Sequence, residues 1–165
     1  MDIARILKHL ATSHASLRRL FPRPVLQRIE QVIAEVEQGH AGQLRFAVEE
    51  ALDIRPLLAG QTARERAIEV FSQLRIWDTE HNNGVLIYLL LADRKVEIVA
   101  DRGIHAKLGQ PVWSAICREM ETSFRAGQFE AGVVSGIRSV GAHLSAHFPQ
   151  HGHKTNELPD QPVVL

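Results

Sequence analysis

Three stretches of this sequence predict an α/β fold: a central mixed β-sheet sandwiched between helices, with an added N-terminal amphipathic helix. Val85, Leu86, Ile87, Tyr88, Leu89, Leu90 and Leu91 are apolar without alternation, the pattern of a strand buried on both faces at the centre of a sheet. Upstream, Leu44, Phe46 and Val48 alternate with Gln43, Arg45, Ala47 and Glu49, which predicts a strand with one buried face. Between the two, Thr62-Ala63-Arg64-Glu65 reads as a capping box, opening a helix with Ala67, Val70, Phe71 and Leu74 on one stripe. Strand, helix and strand make a right-handed crossover, so the two strands run parallel. After the short Asp93-Arg94-Lys95 turn, Val96 to Gly103 returns antiparallel.

The other elements follow in chain order. Ile3, Ile6, Leu7, Leu10, Leu17 and Phe21 fall at helical intervals and predict one amphipathic helix over residues 1–22. Pro22 and Pro24 interrupt it, and Pro24 suits the first turn of a second helix, where its missing N–H has no partner to lose. That helix carries Leu26, Ile29, Val32, Ile33 and Val36 on one side and stops at Gly39. A loop containing Pro56 and Gly60 leads to the crossover helix. Pro111 begins a helix with Trp113, Ile116, Met120 and Phe124 in register, ended by Gly127. The last helix runs from about Phe129 to Phe148, and Gly132 and Gly136 beside its apolar stripe imply close packing on a neighbour. Residues 23–149 thus form one domain. Residues 150–165, with His151, His153, Asn156, Pro159 and Pro162, offer little to bury and are expected to be disordered.

Composition narrows the function. Lys plus Arg equals Asp plus Glu at 19 each over 165 residues, so no basic excess points to nucleic acid. The single cysteine, Cys117, excludes an internal disulfide and a cysteine-based zinc site. Placed among Ile116 and Met120 on a helix, it reads as a small core residue. Charges punctuate the N-terminus and the longest apolar run falls far short of the roughly 20 residues that span a bilayer. A cytoplasmic protein without a membrane span is expected, with peripheral association left open.

Topology decides which polar residues meet. The start of the second strand lies beside the end of the third, which brings the loop Asp78, Thr79, Glu80, His81, Asn82 and Asn83 toward Asp101 and Arg102, with His40 and Gln43 at the same edge. Glu49 and Glu50 belong to the opposite edge. Asp78, Glu80, Asn82, Asn83 and Asp101 form a candidate oxygen set for Ca²⁺ or Mg²⁺, hard cations that need several such ligands. The match to an EF-hand loop fails, because Asn83 stands at the glycine position and Leu89 at the bidentate glutamate. The alternative is that Asp78 or Thr79 caps a helix end and Asn83-Gly84 only turns the chain. Arg102 can grip a phosphate or carboxylate, or pair with Asp78 or Glu80. His143 and His147, one turn apart with His151 and His153 nearby, have two-histidine metal spacing but also suit a helix C-terminus. No nucleophile elbow, phosphate-binding glycine loop or zinc-protease motif is present.

Together these segments resemble the TPM domain family of bacterial and plastid α/β proteins, in the manner of a short soluble branch. The resemblance rests on Glu37 to Val48, Arg66-Ala67 to Val70-Phe71, Trp77-Asp78-Thr79, Asn82-Asn83-Gly84-Val85-Leu86-Ile87, Ala92-Asp93-Arg94-Lys95, Asp101-Arg102-Gly103-Ile104 and Phe124 to Gly132. It implies a sheet between helix layers. It also implies membrane-protein maintenance, phosphatase activity or divalent-cation binding, and three readings compete for this chain: a non-catalytic binding or assembly module; a metal-dependent phosphatase using Asp78 and Asp101 as ligands and Arg102 on the phosphate; or a structural homo-oligomer subunit. Gln110 stands where relatives commonly have an acid, and fewer carboxylates mean weaker cation binding. A protein partner or a second copy is expected to dock on the N-terminal helix.

Overall fold

The structure is a computed structural model describing residues 2–152 and 155–165. Its N-terminal segment is two helices rather than one: α1, Ile3–Ala11, and α2, His14–Leu20. The break falls at Thr12-Ser13, where both residues are extended. Ser and Thr compete with the helix for backbone groups, and Thr12 Oγ1 donates to the Lys8 carbonyl at 2.8 Å, closing α1. The split lets Leu17 and Phe21 enter the core while Ile3, Leu7 and Leu10 stay outside at 65, 61 and 63% exposure. Pro22 then caps α3, Arg23–Glu37, whose buried face is Ile29, Val32 and Ile33.

β1, Gln43–Glu49, is followed by a short helix α4, Ile54–Leu58, inside the expected loop, and by the crossover helix α5, Ala63–Gln73. The capping box at Thr62 and Glu65 forms in both directions: Glu65 N–H donates to Thr62 Oγ1 at 3.1 Å and Thr62 N–H to Glu65 Oε2 at 2.7 Å. β2, Gly84–Leu90, pairs parallel with β1 and antiparallel with β3, Lys95–Ala100. Gln43 lies opposite Gly84, and Val85 opposite Ala100. α6, Arg102–Arg125, starts well before Pro111, with Asp101 as its N-cap. Gly109, at φ +73°, supplies the kink that lets Pro111 sit inside it. α7, Phe129–His147, packs on α6, where Gly132 and Gly136 admit Phe124 and Met120.

The segment after Pro149 departs from the expected disorder. Val163–Val164 form β4, parallel to β1, giving an open four-stranded mixed sheet in the order β3-β2-β1-β4. Leu158 is buried and Arg45 donates to the Pro159 carbonyl. The sequence alternation in β1 sorts its two faces correctly, but both are covered. Leu44, Phe46 and Val48 join the larger cluster with α2, α3, α6 and α7. On the other side, Ala47 packs in the smaller cluster with α4, α5 and Leu158, and Gln43 and Arg45 lie under the tail. The tail packs Leu158, Val163 and Leu165 on the smaller cluster, against the expectation that it has little to bury, and it also satisfies buried polar groups of β1.

Candidate functional site

The expected polar edge forms where β2 begins and β3 ends. Asp101 N–H donates to the Gly84 carbonyl at 2.9 Å, and Gln43 N–H donates to the Asn83 carbonyl at 3.0 Å, so the three strand ends are stitched together. His40 is fully buried nearby, bridging to Pro149. Asn83, at 3% exposure, donates through Nδ2 to the Ala41 carbonyl at 2.7 Å, and its N–H donates to Thr79 Oγ1 at 3.1 Å. Asp101, at 8% exposure, accepts from Arg102 N–H through Oδ1 at 2.7 Å as the cap of α6. One oxygen of each side chain is left over. Asn83 Oδ1 and Asp101 Oδ2 are both buried and accept from no donor among the described residues. Against the first turn of α6 the carbonyls of His81 and Asn82 come so close that a Cβ on Gly103 would lie 2.8 Å from the Asn82 oxygen.

The other expected ligands do not converge there. Asp78 is exposed and paired with Arg75 at 2.8 Å, so Arg75 takes one of the two acids offered as partners for Arg102. A three-residue separation suffices, since Arg75 takes a positive φ at the end of α5 and Asp78 N–H bonds back to its carbonyl. Glu80 is exposed, its carboxylate within 4.0 Å of His81, and Asn82 is an exposed turn residue at φ +50°. Arg102 is exposed at the first position of α6. Among the described residues no three His, Cys, Asp or Glu side chains gather as a metal cluster; His143, His147 and His151 form none, and His153 lies outside those residues.

The tail contributes groups with no motif to announce them. Gln43 Oε1 accepts from the N–H of Glu157 and of Leu158, both at 3.1 Å, and Glu157 Oε2 accepts from Glu80 N–H at 2.9 Å. These residues enclose a cleft of about 340 Å³ lined by Gln43, Glu80, His81, Asn83, His151 and Glu157. The sequence placed Gln43 at this edge but on the polar face of β1, and its burial under the tail, at 1% exposure, is visible only in the structure.

At the opposite edge, Glu49 is not idle. Its carboxylate accepts a bidentate pair from Arg66 at 2.8 and 2.9 Å and a 2.5 Å bond from the Tyr88 hydroxyl. Burial, then that bond, pushes the Tyr88 phenol far above its ordinary value, and the bond to Glu49 does the same for Arg66. The three side chains satisfy one another as a structural clasp. Cys117 packs beside the core, and burial with Glu97 and Glu121 nearby pushes its thiol up to about 12. Labelling of native protein by a thiol reagent should therefore be slow and accelerate on unfolding; rapid native-state reaction would contradict its placement.

The fold and this edge define an open α/β/α sandwich with a polar edge at the strand ends. The chain belongs to the TPM domain family, whose model matches residues 18–143. It is similar in structure to the BA42 protein of the psychrophilic bacterium Bizionia argentinensis, with a TM-score of 0.74 and 27% identity over 86% of this chain and 93% of that one. The N-terminal domain of a protein from P. gingivalis shares the fold at a TM-score of 0.64 and 19% identity, over 81% of this chain and 83% of the other. No curated protein matches.

Proposed function

We propose that this TPM domain is a non-catalytic binding module that takes a divalent cation, Ca²⁺ or Mg²⁺, at the β2–β3 edge. The reading rests on the pair of buried acceptor oxygens, Asn83 Oδ1 and Asp101 Oδ2, on adjacent strand ends. A buried acceptor without a donor costs about 1–3 kcal/mol, and a hard cation removes that cost at both atoms, with backbone carbonyls of the loop completing its shell. The first-turn amides of α6 oppose a cation, so the charge of Asp101 is what makes binding favourable. With one carboxylate the affinity belongs to the weak class, with Kd on the order of 10⁻⁴–10⁻³ M. The phosphatase reading needs Asp78 as a second ligand, and Asp78 is held by Arg75.

The test is thermal stability in CaCl₂ or MgCl₂ against KCl of equal ionic strength. Saturation to about 100 times Kd should stabilise the fold by about 2.7 kcal/mol. Asp101→Asn keeps a competent helix cap and should abolish the response, Asn83→Ala should reduce it, and Asp78→Asn should leave it intact. No divalent-specific rise, or one that depends on Asp78, would refute the proposed site. Turnover of a phosphate monoester that Asp101→Asn removes would reinstate the phosphatase.

A further inference from the structure

We infer that α1 and the cleft beside it form a docking surface for an anionic phospholipid membrane, at the end of the sheet opposite the cation edge. The outward face of α1 is Ile3, Ala4, Leu7, Leu10 and Ala11, all exposed and none charged. A nine-residue helix with that face does not arise from core packing, because its core contacts come from the other side. His9 is 3% exposed, with Nδ1 accepting from Leu52 N–H at 3.0 Å and Nε2 3.1 Å from Asp93; Arg5 donates to Asp93 Oδ2 through Nε at 3.0 Å and Nη2 at 2.8 Å. These bonds hold α1 rigidly with its apolar face out. Ile54 and Leu58 of α4, in the segment that follows Leu52, are also exposed, at 56 and 51%.

Charge identifies the occupant. Residues 2–21 carry four Lys or Arg against one Asp in a chain whose net charge is zero. Lys8 of α1, Thr12 at its C-cap, Ser16 and Arg19 of α2, and Arg94 of the β2–β3 turn line an open cleft of about 590 Å³. None of Lys8, Arg19 and Arg94 is in an ion pair among the described residues. The cleft's own acid, Asp93, is already neutralised by Arg5 and hydrogen-bonded to His9 Nε2. An apolar helix face rimmed by unpaired cations and hydroxyls matches an anionic interface, with acyl chains under the helix and headgroup phosphates in the cleft. A second copy fits poorly, since a two-fold contact through α1 would set the same basic residues against one another.

The full chain should co-sediment with vesicles of phosphatidylcholine containing roughly one-third phosphatidylglycerol, at least about tenfold better than with phosphatidylcholine alone, and KCl should weaken the binding. Leu7→Asn with Leu10→Asn, at exposed positions, should abolish binding while the melting temperature stays unchanged. Lys8→Glu with Arg94→Glu should remove the preference for charged vesicles, each basic residue near such a surface contributing about fivefold. The inference is overturned by failure to bind, by equal binding to neutral vesicles, by retention in the asparagine variant, or by a concentration-dependent dimer on gel filtration that the same variant dissolves.

Discussion

Replacing Arg66 with alanine should lower the stability of this protein by about 3–5 kcal/mol, because it strips the partner from a buried carboxylate. Glu49 has 10% of its side chain exposed and Arg66 19%, so neither charge is well solvated once the other is gone. Arg66→Lys should recover only part of the loss, since an ammonium cannot reproduce the two-point grip. Chemical denaturation measures both. A loss below about 1 kcal/mol would place the pair among ordinary surface bridges.

The same network predicts an optical signature, because Tyr88 is the single tyrosine. Its folded phenol lies above the unfolded value of about 10. A group raised in this way contributes stability that is complete below pH about 10 and is lost as pH rises through the folded value. Tyrosinate absorbance should therefore develop together with alkaline unfolding and not before it. A normal titration near pH 10 in the folded protein would show that the Tyr88–Glu49 bond is absent.

Gly84→Ala should cost about 3 kcal/mol, the upper end for overpacking a well-filled site. A Cβ on Gly84 would overlap the Ile76 carbonyl oxygen and also lie 2.7 Å from Ile76 Cγ2. The obstacle is backbone at the end of the crossover, so no rotamer change relieves it. For a chain of this size that loss is about 6–12 °C in Tm. Gly84 also accepts from Asp101 N–H and follows Asn83, so the substitution should weaken any divalent response along with the fold. A variant as stable as the parent would mean that the β2 start can move away from Ile76 at little cost.

Much of the candidate edge was legible because strand direction alone fixes which loop ends share it. Parallel β1 and β2 with an antiparallel β3 put Asn83 beside Asp101 and sent Glu49 to the far end, as the topology required. Within the edge, side-chain direction was not legible. Asp78, Glu80 and Asn82 have the alternate spacing of ligands, but the Arg75 turn and the exposed course of the loop point them elsewhere. Asn83 and Asp101 remain because each sits at a strand terminus where the backbone ladder holds it.

The sequence by itself determined the sheet-centred α/β/α architecture, the crossover and its capping box, and the amphipathic character of α1. All of these depend on periodicity or on contacts a few residues apart, which a linear pattern records. Only the tertiary structure decided the rest: the early start of α6 on Asp101, the clasp of Glu49 with Arg66 and Tyr88, the outward apolar face of α1 fixed by Asp93, and the return of the tail as β4. Each depends on partners far apart in the chain. Glu49 meets a residue 39 positions on, Gln43 meets Leu158 at 115, and Arg5 meets Asp93 at 88. A buried polar residue announces in sequence that it needs a partner, but which one satisfies it is set by how the closed chain brings distant backbone and side-chain groups within hydrogen-bond reach.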